Sequence, residues 1–347
     1  TPYMGKVNII YLSIPDAGAG PSSVDDNCSA ALKAALPSPP LPWVYHCATP
    51  ADYRKVNGDG WIPVDFTRVS AGAPFSALPV DPKDGIYAYV TGGSWAVTAL
   101  LESEKYLKQN AANDGGTDVA RFEKGNDLSL WTKATGLLGY WKFDEGPGAT
   151  TAADSSGNGN IGNPSGNITL VTGKVGGAVS LNANTPIDGY ITTQLPVALA
   201  GKDFTLMAWV KWTGGGVDKP IFGHGNTQGT CQNLALTART VGLDVVPHFG
   251  LYGSCDMDSS TALAADTWYH LVFVNSQSGS VTDKIYLNGS PDKQDTALSS
   301  YSGADTPLYI GKWSTASYFF TGIIDEARVY NRALSAVEIA AMYNATK

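Results

Sequence analysis

The stretch Phe204-Thr205-Leu206-Met207-Ala208-Trp209-Val210-Lys211-Trp212 decides the fold. Its β-branched and aromatic residues alternate with period two, the repeat of a strand whose side chains point to two faces in turn. The same texture returns downstream at Trp268–Val274, Lys284–Gly289 and Pro307–Gly311, with Gly, Asn, Asp and Ser clusters between. Repeated short strands separated by turn signals predict an antiparallel two-sheet β-sandwich. Helical pattern is nearly absent until Ser335–Met342, where Ser335 is a ready N-cap with Glu338 three residues on.

Upstream of Gly136 the texture differs. Val7–Leu12 reads as a strand, a Gly/Pro/Ser/Asp loop follows through Pro21, and Ser29–Ala35 reads as a short helix ending in the proline-rich run 36–42. Gly85–Val90 and Ser94–Leu101 flank a Gly-containing turn and predict a hairpin. The expected fold is therefore mostly β: a small α+β head over 1–133, a linker near 129–136, and a sandwich over 137–347.

The chain has 347 residues and a formal net charge of −8. No apolar run approaches the roughly 18 residues of a membrane span, and the longest basic group is Arg54-Lys55, so nucleic acid and anionic membrane surfaces are disfavoured. Nine Trp, seventeen Tyr and ten Phe argue for a folded core. The four cysteines fall as two local pairs, Cys28 with Cys47 and Cys231 with Cys255. Read as disulfides, they imply export; the alternative is four buried thiols.

Two resemblances follow. The run Gly60-Trp61-Ile62-Pro63-Val64-Asp65, then Leu78-Pro79-Val80-Asp81-Pro82 and the Tyr-rich hairpin through Tyr106, resembles the globular head of bacterial type IV pilin-like and pseudopilin proteins. That family's N-terminal apolar helix is missing from the sequence, so the resemblance implies an ectodomain, with other pilin-like subunits as partners only if a filament forms. Residues 137–345 resemble the laminin G type of concanavalin A-like jelly roll. The motifs are Tyr140–Gly146, Asp154–Gly162, Thr267–Leu271, Tyr286–Gly289 and Ile323–Ser335. This resemblance implies extracellular binding or adhesion at a bacterial surface, with a carbohydrate or cell-surface ligand.

Oxygen-bearing side chains alternate in Asp154-Ser155-Ser156-Gly157-Asn158-Gly159-Asn160, a pattern able to wrap a hard cation. In laminin G-like domains calcium commonly ties such a loop to an acid on a neighbouring strand. The expected structural Ca2+ site is thus Asp154, Asn158, Asn160 and Asp325, with Asp144 and Glu145 as secondary ligands; the alternative is a metal-free Asx turn.

Catalysis finds less support. A glycosidase needs two carboxylates facing across a cleft, and no strand carries the Glu-x-Asp-x-x-Glu run of the related β-glucanases. Glu102 and Glu104 lie in the head, Asp325 and Glu326 should point to opposite faces of a strand, and no Gly-x-Ser-x-Gly elbow occurs. His270, inside a strand, is expected to be a hydrogen-bonded core histidine. A glycan site asks instead for aromatic faces amid amide and carboxylate groups. Trp212, His224, Tyr252, Trp313 and Tyr318 are the candidates, walled by an insertion between Cys231 and Cys255. No enzyme is expected; the alternatives are a filament subunit decorated by the jelly roll and, last, a glycoside hydrolase.

Overall fold

The computed structural model describes residues 5–36, 39, 43–68, 73–83, 85–92, 94–101, 105, 109–111, 114, 118, 121–128, 130–131, 135–182, 188–214, 218–225, 229–277, 281–296, 299–314 and 318–347. The chain divides into two compact units, Thr1–Gly136 and Leu137–Lys347. Glu102 and Glu104, like part of the expected linker, lie outside the described residues.

The first unit is built on a five-stranded sheet in the order β2-β1-β3-β4-β5. These strands are β1 (Ile9–Pro15), β2 (Val44–Ala48), β3 (Tyr87–Thr91), β4 (Trp95–Leu100) and β5 (Arg121–Gly125). β1 starts later than expected because Asn8 adopts a left-handed φ of 60°, a conformation Asn tolerates but a strand does not continue through. β1 and β2 are parallel, an arrangement that needs a crossover; the helix α1 (Ala30–Ala35) lies in that connection, capped by the Ser29 hydroxyl accepting from Leu32 N. Cys28 and Cys47 are bonded, and Asn27 joins the backbone of Cys47 through both its amide atoms. Both sheet faces are covered: Ile10, Leu12, Ala88 and Val90 on one, Ile9, Tyr11 and Tyr89 with Trp61 and Leu78 on the other. Among the described residues α-helix is confined to the six of α1 and to Lys105, Gln109, Leu130 and Trp131, so the α+β head expected of a pilin-like unit is not evident.

The second unit is a two-sheet sandwich, as the strand periodicity predicts. One sheet has seven strands in the order β15-β14-β13-β12-β19-β10-β7: Met257–Asp258, Asp244–Gly250, Leu234–Val241, Lys219–His224, Thr306–Ile310, Tyr190–Val197 and Gly162–Ser165. The other runs β18-β17-β16-β11-β20-β9-β8: Ser290–Asp295, Thr282–Leu287, Trp268–Ser276, Phe204–Trp212, Gly322–Tyr330, Gly177–Leu181 and Ile168–Thr172, with β6 (Leu137–Trp141) also pairing β20. Every pairing in this unit is antiparallel. Phe204, Leu206, Ala208 and Val210 of β11 join Phe273, Phe222, Leu236 and Phe249 in the core between the sheets. The opposite face of β11 is buried too, because the C-terminal helix α2 (Ala336–Thr346) lies over it: Trp209 Nε1 donates to Thr346 Oγ1 at 2.9 Å. α2 begins with the capping box read from Ser335 and Glu338, and Arg332 grips Glu338 with two nitrogens.

Under this helix the expectation for His270 fails. Its ring packs against Trp209 and Tyr343, neither nitrogen has a hydrogen-bond partner among the described residues, and burial pushes its pKa down to about 3. It is an uncharged packing residue.

Candidate functional site

The loop residues predicted to hold calcium spend their side chains on hydrogen bonds within the protein. Asp154 Oδ1 accepts from the amides of Tyr140 and Ser156, and Oδ2 accepts from Ser156 Oγ and the Asn160 amide, at 2.8–3.0 Å. Four donors saturate a carboxylate's lone pairs. Asn158 and Asn160 turn their amide groups to donate to the carbonyls of Leu137 and Leu138. Asp325 is engaged separately through one oxygen: its Oδ2 accepts from the amides of Lys174 and Val175, each at 2.9 Å, while Oδ1 is buried with no partner among the described residues. Asp144 accepts from Gly177 N and Glu145 from Ala153 N. The loop is a hydrogen-bonded turn clamped to β6, and Asp154, Asn158 and Asn160 do not fit a cation as they stand. Among the described residues, one set of three Asp, Glu, His or Cys side chains comes within ligating distance, Asp16 with Cys28 and Cys47, and those two sulfurs form a disulfide.

Asp325 and Glu326 also depart from the alternation expected of them. The β11–β20 register slips between Met207 and Trp209, and Glu326 takes a positive φ of 54°. Such a bulge spends one residue without crossing the sheet. Asp325 therefore pairs with Trp209, while Glu326 reaches Arg328 and Tyr140, all buried. Burial raises the Asp325 carboxyl to about 8. Neither acid meets solvent.

The cleft forms on the seven-stranded sheet, on the face turned away from the core. Along β13, Leu234 and Leu236 enter the core while Ala235, Thr237 and Arg239 line the cleft; along β14, Phe249 is core while His248 and Gly250 line it. Asp218, Asn233, Tyr252, Gly253, Asp256 and Trp313 complete a hollow of about 380 Å³. Small residues open it: a Cβ on Gly250 would stand 2.5 Å from the His248 ring. Gly223 of β12 lets the segment 312–314 lie directly on the sheet, since a Cβ there would meet Lys312 O at 2.3 Å. That segment pairs back on itself through Lys312 and Phe319 and presents Trp313 against Tyr318, ring centroids 5.5 Å apart. The Trp313 indole donates to Asn233 Oδ1, which also accepts from Ser314 Oγ.

Charge in the cleft is arranged around Arg239. Its guanidinium lies 3.6 Å from Asp218 and 3.9 Å from Asp256, and it contacts the His248 ring at 3.2 Å. His248 Nδ1 stands 2.8 Å from Asp258, and this contact holds the Asp258 carboxyl below its usual range against opposing burial. Asp256 Oδ1 accepts from the amides of Leu251 and Tyr252, which fixes the wall carrying Tyr252. Thr237, 1% exposed, has no partner for its hydroxyl among the described residues.

Of the five predicted glycan contacts, Trp313 and Tyr252 line this cleft and Tyr318 adjoins it, exposed. Two do not. His224 is wholly buried, its Nδ1 on the Tyr301 hydroxyl at 2.7 Å and its Nε2 facing Thr306 N, so it is structural. Trp212 closes β11, half-buried against the core, with a buried indole N–H that has no partner among the described residues. The bonded Cys231 and Cys255 close the base of the β13–β14 hairpin rather than an inserted loop. Asp218, Asn233, Thr237, Arg239, His248 and Asp256 were missed; the signal available was the alternation Leu234-Ala235-Leu236-Thr237-Ala238-Arg239, which sends two small residues and an arginine to one face.

Residues 183–340 match the concanavalin A-like lectin/glucanases superfamily. Similar solved structures include domain 4 of AbnA, a GH43 extracellular arabinanase from Geobacillus stearothermophilus, solved with arabinotriose: 23% identity, 60% of this chain, 98% of that one, TM-score 0.48. The binding domain of Paraclostridial Mosquitocidal Protein 1 is 16% identical over 60% of this chain and 52% of that one, TM-score 0.47. The receptor-binding domain of botulinum neurotoxin type G is 15% identical over 60% and 51%, TM-score 0.45. The chain thus spans about half of each toxin domain. No curated protein matches.

Proposed function

We propose that the second unit is a glycan-binding module and that the sugar lies in the cleft against Trp313. The observation carrying this reading is the meeting of a half-buried indole, oriented by Asn233, with a guanidinium flanked by carboxylates. An aromatic face takes sugar C–H groups, and a few convergent polar groups fix orientation. The hollow, about 380 Å³, lies in the small part of the roughly 300–1,000 Å³ range of ligand sites.

Binding without turnover is part of the proposal. A glycosidase's general acid needs a carboxyl raised toward neutrality. Asp258, on the far side of His248 from the cleft, is held below its usual range, while Asp283 and Asp325, raised to about 7 and about 8, are wholly buried. The 347-residue chain should bind members of a glycan array, lose that binding on Trp313→Ala, and release no reducing sugar from them. An unchanged array after Trp313→Ala would remove the site; sugar release would remove the non-enzymatic reading.

For the first unit, the pilin-like resemblance supports display on a bacterial surface, and the two disulfides suit an exported protein. No described helix is long and apolar enough to cross a membrane. Immunogold labelling of cells tests this reading: label along filaments favours a subunit role, label over the cell body favours an adhesin, and label confined to the cytoplasm contradicts both.

A further inference from the structure

We infer that the cleft selects uncharged saccharides through vicinal hydroxyl groups and turns away those bearing carboxylate or sulfate. This deepens the glycan-binding reading and rests on it. The lining contains one guanidinium, Arg239, against two carboxylates, Asp218 and Asp256, with a third, Asp258, behind His248. An incoming carboxylate would find Arg239 already flanked on two sides by like charges. Partly buried charges are screened less than exposed ones, so the repulsion is felt at the contact.

The acceptors are not spent. Asp218 Oδ1 is buried without a hydrogen-bond partner among the described residues, at an ion-pair distance of 3.6 Å from Arg239 Nε. Asp256 uses Oδ1 for two backbone amides, while Oδ2 stands 3.9 Å from Arg239 and 4.0 Å from His248, beyond hydrogen-bond reach of either. The Asp218 and Asp256 side chains, 24% and 29% exposed, therefore reach the hollow with capacity for O–H donors, while Asp218 Oδ1 and the Thr237 hydroxyl lie beneath its surface. Adjacent hydroxyls on one sugar ring supply such donors, and a charge-assisted O–H···O bond is roughly twice as strong as a neutral one. The Arg239 N–H groups remain to donate to a ring or hydroxyl oxygen.

The test uses the 347-residue chain on an array holding neutral glycans beside acidic counterparts: galactan oligosaccharides with oligogalacturonates, lactose with sialyllactose, and arabinan and xylan oligosaccharides. The expected result is binding to at least one neutral class, with the acidic counterpart at least tenfold weaker and the gap narrowing as salt is raised. Asp218→Asn should weaken the neutral ligand and shrink the discrimination, while its circular dichroism melt reports whether the fold is retained. Acidic glycans bound equally or more tightly would overturn the selectivity and leave the glycan-binding reading standing. Binding to no member would overturn that reading and the inference with it.

Discussion

The Trp313 indole N–H is tied to Asn233 Oδ1, so the orientation of this half-buried ring is set by a residue at the entrance to β13. A ring held this way presents one face to the cleft without an orienting cost at binding. Asn233→Ala is expected to weaken glycan binding several-fold with a smaller effect on the melting temperature. Binding unchanged in this variant would mean the indole needs no such support.

Gly223 sets the height of the same segment. Gly223→Ala places a methyl group 2.3 Å from Lys312 O. The backbone has to move, so both affinity and melting temperature should fall together. Equal binding by wild type and variant would show that Trp313 does not depend on close contact with β12.

Two buried acids give stability a pH slope. Burial lifts Asp325 to about 8 and Asp283 to about 7 from an ordinary 3.8. The native state then holds protons that the unfolded chain releases, so the stability is fully present below about pH 4 and is lost as pH rises through 7 to 8. Melting temperature should therefore decline from pH 5 to pH 8.5, and the double variant Asp283→Asn/Asp325→Asn should show a flatter profile. Parallel profiles for the two proteins would contradict this.

The Asp154 loop is complete in its hydrogen bonds. A cation bound only by the native state raises stability with its concentration. Melting temperature is therefore expected to be the same with chelator and with millimolar CaCl2, while Asp154→Ala, which orphans four donors, should destabilise strongly. A calcium-dependent rise would mean that the carboxylate exchanges its amide partners for an ion.

The sandwich was legible because its strands alternate plainly and its turns are rich in Gly and Asn; the cysteine pairs were legible from proximity along the chain. The cleft was half legible. Trp313, Tyr252 and Tyr318 stood out as aromatics near loops, but Arg239 and His248 belong to neighbouring strands whose register no single segment reveals. His224 misled because a loop-like Gly-His-Gly context belongs to the buried end of β12, where Tyr301 covers it. The bulge at Glu326 broke the alternation that was used to separate it from Asp325, and that break depends on pairing with β11. The helix-covered face of β11 was likewise set by tertiary packing, since the capping signal at Ser335 marks where a helix begins but not where it docks.

The most direct test is calorimetric titration of the 347-residue chain and its Trp313→Ala and Trp212→Ala variants with the neutral oligosaccharide that binds best. Trp313→Ala should lose at least about tenfold in affinity, roughly 1.4 kcal/mol, at an unchanged melting temperature. Trp212→Ala should keep the affinity and melt lower. Loss of binding in the Trp212 variant with retention in the Trp313 variant would place the sugar elsewhere and contradict the account.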